Sequence, residues 1–309
     1  MTWMMKRSIK AATVVFASCF GLVATVDTAA AAETYLLGIG ACPAWVDGAA
    51  QDMAEATSAT LCEADVERVE EALSARFEIR PDNRYRLIQA EATPMRFFNL
   101  VEGFKQQLGE DDTLILYQIS HGGITDYLYQ GYPASGEVFA YYTETKPQFS
   151  TAVEEGHWLS ARDMRDAIYQ LGAKTGADIL IIIESCHAGQ VTKDLVNNPA
   201  LNLAGPSRIA FLFSAGPGEL SLFNTSVDGG LFSEVLAKQL AEAPRGQNMA
   251  DVFAQTRETT HRAALATCNA VEGVERETLF SSSSSYFYRC TQEPEFVDPR
   301  GLLLDLKLN

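Results

Sequence analysis

The sequence predicts an α/β domain, an α/β/α sandwich of three layers around a central, mostly parallel sheet. Two observations predict it. Strand-like apolar runs recur with helical patterns between them, the order that βα crossovers produce. Two of these runs, LILYQI (114–119) and DILIIIE (178–184), are nearly continuous rather than alternating, which places them in the sheet centre with helices on both faces.

Taken in order, the chain opens with the cationic MTWMMKRSIK, an apolar stretch from Ala11 to Val26 and the small residues Ala30-Ala31-Ala32. This reads as a signal peptide over 1–32, cleaved after Ala32, with a single domain over 33–309 and export to the periplasm or beyond. An uncleaved anchor is the alternative, but the apolar run is shorter than the roughly 20 residues of a spanning helix. Phe16-Ala17-Ser18-Cys19 could also serve as a lipid-attachment box, although the apolar stretch continues past Cys19. No later stretch resembles a membrane span, and no internal repeat or Pro-rich linker divides the remainder.

Strands are expected at Tyr35 to Ile39, Tyr85 to Ala90, Thr113 to Ile119, Asp178 to Glu184 and Ile209 to Ser214. Val66, Val69, Leu73 and Phe77 mark one amphipathic helix. Met164, Ala167, Ile168 and Leu171 mark a second, for which Ser160 and Asp163 offer a capping box. Phe232, Val235, Leu236 and Leu240 mark a third.

The formal charge is −16, and loss of the leader with Lys6, Arg7, Lys10 and Asp27 takes it to −18. Such a surface argues against nucleic acid, which needs clustered Lys and Arg. It permits attraction of cationic substrates, though a solvated acidic face is the plainer meaning. Export leaves five cysteines, Cys42, Cys62, Cys186, Cys268 and Cys290. An odd number in an oxidising compartment points to one thiol outside the disulfide framework. Cys42 with Cys62 and Cys268 with Cys290 are the sequence-local pairs, leaving Cys186.

Ligands in open α/β sheets bind where loops leave the carboxyl ends of central strands. After LILYQI come Ser120-His121-Gly122-Gly123, and DILIIIE ends on Glu184, followed by Ser185-Cys186-His187-Ala188-Gly189. If the two strands are neighbours, His121 and Cys186 emerge at the same edge. A thiol is a poor nucleophile until deprotonated, and a nearby imidazole can take its proton and later protonate a leaving amine. The glycines leave backbone N–H groups accessible to a developing oxyanion; those of Gly122 and Cys186 are the candidates.

The S-H-G and E-S-C-H-A-G boxes, His before Cys, resemble the caspase-like peptidases, a group that includes caspases, metacaspases and legumain. The second box is most similar to that of metacaspases. Gly229-Gly230-Leu231-Phe232-Ser233 is similar to the G-x-F-[ST] found in many members, so the resemblance spans about Tyr35 to Leu240. It implies a caspase-like fold and a cysteine endopeptidase acting on protein or peptide substrates. In that role His121 is the base, Cys186 the nucleophile and Gly122 N–H an oxyanion donor. Glu184 falls where metacaspases place an Asp that receives a basic P1 side chain, which implies cleavage after Arg or Lys. Ser214 and Ala215 fall in the segment that lines the substrate cleft. Two departures stand out: Glu replaces Asp at the box, and the second acidic pocket residue, expected near the first strand, is Asp47 or Asp52. Some members respond to calcium, but this chain has no calcium loop, and thiol chemistry requires no cofactor.

The remaining histidines suggest less. His187 is read as supporting its loop, and His157 and His261 as surface residues. A metal site from Cys186, His187, His121 and Glu184 lacks a repeated ligand spacing. The loop from Gly189 to Ser207, with Lys193 and Arg208 as basic residues, is a site of self-cleavage or an ordinary surface loop. Two competing functions remain open: a non-catalytic caspase-like scaffold that binds peptides or proteins, and a thiol redox protein, disfavoured by the lack of C-x-x-C.

Overall fold

Alternating side chains along the central strands build the molecule. In the computed structural model, Leu37, Ile39, Leu116, Ile181 and Ile183 are buried on one face of the sheet, while Leu36, Ile115, Tyr117, Leu180 and Ile182 are buried on the other. The described residues are 32–42, 51–129, 132–140, 156, 158–192, 205–224, 229–270, 279–280, 287–288 and 291–309. Residues 1–31 of the expected leader, Asp47, His157 and Lys193 lie outside them.

The six-stranded sheet uses β1 (Thr34–Ala41), β2 (Arg84–Ile88), β3 (Thr113–Ser120), β7 (Asp178–Glu184), β8 (Ile209–Phe213) and β13 (Glu295–Val297). Their order is β13-β8-β7-β3-β1-β2, and only β13 runs antiparallel to its neighbour. β3 and β7 therefore sit in the middle, as their continuous apolar runs require. A smaller antiparallel sheet, β4 (Gly122–Tyr129), β5 (Tyr132–Ala140) and β6 (Trp158–Ser160), leaves the main one directly after His121. Two-residue strands complete the list: β9 (Phe223–Asn224) with β10 (Gly229–Gly230), and β11 (Leu279–Phe280) with β12 (Phe287–Tyr288).

Helices α2 (Pro94–Gln107) and α3 (Ala161–Thr175) cover one face, packing Phe97, Val101, Met164 and Ile168 onto it. Helices α1 (Gln51–Arg76), α4 (Leu231–Glu242) and α5 (Met249–Ala270), with the short α6 (Leu302–Asp305), cover the other. The result is the expected three-layer α/β/α sandwich. Each Leu or Ile moved from water into these layers contributes about 1.5–3 kcal/mol. Among the described residues, no helix is long and apolar enough to cross a membrane.

Local signals set the helix ends. Ser160 Oγ accepts the Asp163 N–H at 3.0 Å and donates to Asp163 Oδ2 at 2.6 Å, and Gly176 closes α3 in the left-handed conformation at φ 79°. Thr93 caps α2 with Pro94 in its first turn. β2 stops at Ile88, two residues before the expected end. Gln89, at φ 47°, turns the chain into a 3-10 turn that extended pairing cannot follow.

Candidate active site

The site is built by register. In the parallel ladders Ala41 is level with Ser120, and Ile119 is level with Glu184. His121 lies one residue beyond the carboxyl end of β3 and Cys186 two residues beyond that of its neighbour β7. His121 is exposed, and Cys186 and Gly122 are half-buried, so the three open toward solvent at the carboxyl edge. Cys186 keeps its sulfur as a thiol.

The chain around Cys186 is held from below. His187 adopts φ 63°, a left-handed conformation that costs energy in a residue with a Cβ, and its N–H donates to Glu219 O at 2.9 Å. Burial pushes its imidazole down to about 4, so it stays neutral. Gly189 N–H donates to Ala215 O at 2.9 Å, and Ser214 N–H to Ile183 O at 2.9 Å. Ser214 and Ala215 are themselves fully buried. Their backbones brace the segment that carries Cys186. Arg208 lies at the far end of β8, where Asp178 takes its guanidinium at 2.6 and 3.0 Å and Asp305 binds it as well.

Glu184 faces the α1 and α4 side, below the cysteine. Its Oε2 accepts from Tyr117 Oη at 3.0 Å and from Ser233 Oγ, while Oε1 is buried with no hydrogen-bond partner among the described residues. A second acid comes from α1. Asp65 is fully buried, accepts the Gly230 N–H at 2.7 Å and pairs with Arg68. Gly230 lies between the two carboxyl groups, and a Cβ there would collide with Glu184 Oε1. Burial, reinforced by the charge of Asp65, pushes the Glu184 carboxyl up to about 8; burial also raises Asp65 to about 6.

Asp65 is the residue that sequence reasoning misses. Of the two acids considered, Asp47 lies outside the described residues and Asp52 lies in the first turn of α1. The available signal is positional: Cys62, Asp65, Val66, Val69 and Leu73 form one buried helical stripe, in which an acid is out of place. The same stripe carries the Cys42–Cys62 disulfide, with Cα atoms 6.0 Å apart, which ties the end of β1 to α1 one turn before Asp65. Cys268 is also disulfide-bonded; Cys290 lies outside the described residues. His261 lies on α5, partly buried, with Nδ1 3.3 Å from Gln292 O. Among the described residues, no three His, Cys, Asp or Glu side chains are placed to share a metal ion.

No family profile and no curated protein matches the chain in sequence. Solved structures do match in fold. A structural-genomics protein of Geobacter sulfurreducens superimposes with a TM-score of 0.50 at 16% identity, covering 86% of this chain and 92% of that one. A caspase-1 from Spodoptera frugiperda gives a TM-score of 0.48 at 13% identity, covering 87% and 89% of the respective chains. What the first likeness establishes is the α/β architecture.

Proposed function

We propose that this chain is a caspase-like cysteine endopeptidase with His121 as base and Cys186 as nucleophile. The observation that supports the reading is the pairing of β3 with β7, since the loops that leave their carboxyl ends carry an exposed imidazole, His121, and a reduced thiol, Cys186. His121 takes the thiol proton, and the thiolate attacks the scissile carbonyl carbon. The N–H groups of Gly122 and Cys186 donate to the resulting oxyanion. As the C–N bond breaks, His121 returns the proton to the departing amine, leaving a thioester. Water, deprotonated by His121, then releases the acid and regenerates the thiol.

The paired acids Asp65 and Glu184 support a basic P1 residue, because Oε1 of Glu184 is an acceptor without a donor. Gly230 packs against that oxygen, and an added Cβ there would collide with it. The Cys42–Cys62 disulfide supports maturation in an oxidising compartment after export. Turnover of a P1-varied fluorogenic peptide library tests the proposal. Arg and Lys peptides are expected to be cleaved, with losses of at least ~10³-fold in both Cys186→Ala and His121→Ala. Cleavage that survives either substitution would refute the dyad. Failure of a mechanism-based thiol probe to label Cys186 would favour a peptide-binding scaffold instead.

A further inference from the structure

Tyr117, Ser233 and Glu184 meet in a triangle of oxygens closed off from water. Tyr117 Oη lies 3.0 Å from Glu184 Oε2 and 2.9 Å from Ser233 Oγ, and Ser233 Oγ also contacts Oε2. All three side chains are at most 2% exposed. Three oxygen–oxygen contacts need three protons, and the two hydroxyls supply two. With Glu184 ionised both hydroxyls donate to Oε2; with a proton on Oε2 the three contacts close into a ring. Oε1 takes no part and stays without a partner.

We propose that Tyr117 and Ser233 are positioning residues for the specificity acid: they clamp Oε2 of a carboxyl that its closed, apolar setting beside Asp65 keeps protonated, and they leave Oε1 as the acceptor for a cationic P1 side chain. Binding of that side chain then expels one proton. This rests on the reading of Glu184 as the P1 acid given above. The charged and titratable groups around the triangle are Asp65 and Arg68 on α1, Glu234 on α4 and Tyr117 itself. Burial and the charge of Asp65 both favour the protonated form of Glu184.

Calorimetry in the Cys186→Ala background tests this without turnover, using one peptide with Arg at P1 and the same peptide with norleucine. The Arg peptide is expected to bind more tightly. Its heat in buffers of different ionisation enthalpy should show release of about one proton at pH 7, against none for norleucine. Tyr117→Phe and Ser233→Ala should weaken the Arg peptide about 10-fold and leave norleucine within about 2-fold, since a hydrogen bond to a charged group is lost. Both should move the pH midpoint of Arg binding upward, because the lost bonds favoured the ionised form. Ser233→Thr keeps the hydroxyl and should retain wild-type values.

Equal weakening of both peptides would mean a structural role and overturn the proposal, as would Arg binding with no proton released. Loss of Arg preference in Glu184→Gln alone, with Tyr117→Phe and Ser233→Ala unaffected, would sink the clamp and leave the P1 reading standing. If Glu184→Gln keeps the Arg preference, the P1 reading falls and the clamp falls with it.

Discussion

Glu184 and Asp65 lie on either side of Gly230, and each carboxyl resists ionisation because little water reaches it. The sign of the resulting pH dependence follows from linkage. A carboxyl raised above its ordinary value holds its proton in the folded state while the unfolded chain releases it, so stability is greatest at low pH and falls as pH rises toward the folded value. For Glu184 that window runs from its ordinary 4.5 up to about 8, and for Asp65 from 3.8 up to about 6. Denaturant midpoints at pH 5 and pH 8 should show wild type losing stability and Glu184→Gln losing less, by on the order of 1 kcal/mol. Equal slopes would show that Glu184 is not held protonated. His121 and Cys186 are legible in the sequence because each follows a strand whose apolar run marks it as central. Asp65 is not: between the exposed Glu63 and Glu67 it reads as one more solvated acid until the α4 side of the helix is known.

The link between α1 and the sheet is the element on which the acid pair depends. Cys42–Cys62 closes a separation of 20 residues, and removing that constraint should cost about 3 kcal/mol through the unfolded chain. The double variant Cys42→Ala/Cys62→Ala should therefore shift the unfolding midpoint strongly; an unchanged midpoint would place no constraint on the bridge. Contact between the elements is equally close at Gly38 of β1, where an added Cβ would meet Val66 Cγ1 at 2.7 Å. Gly38→Ala pushes α1 outward, and a loss of about 1–3 kcal/mol in chemical denaturation is expected. Elements whose apolar pattern faces the main core are the ones the sequence reveals. α2 carries such a pattern too, in Phe97, Val101 and Phe104 behind Thr93 and Pro94, although it is not among the three helices expected above. β4 and β5 do not: GGITDYLY and YPASGEVFA mix Gly, Pro and Asp with aromatics, and they pair with each other and β6 rather than with the main sheet.

Across the whole molecule the acids outnumber the cations, and many arginines are already engaged. Arg86 binds Glu67 and Glu70, Arg208 binds Asp178 and Asp305, Arg68 binds Asp65, and Arg257 binds Glu293. The formal charge of −16 is the surplus of Asp and Glu over Lys and Arg. A field of that sign draws in cationic peptides before any contact forms and repels anionic ones. Raising NaCl from about 0.1 M to about 1 M shortens the Debye length from about 10 Å to about 3 Å, which removes this attraction. The buried contact proposed at Glu184 would be screened far less. KM for a peptide with Arg at P1 and Lys residues flanking it should therefore rise several-fold with salt. KM for the same Arg peptide with Asp residues flanking it should fall, and kcat should stay level for both. If the two KM values moved together, or kcat fell with salt, the surface field would play no part in capture, and selectivity would rest on the P1 contact alone.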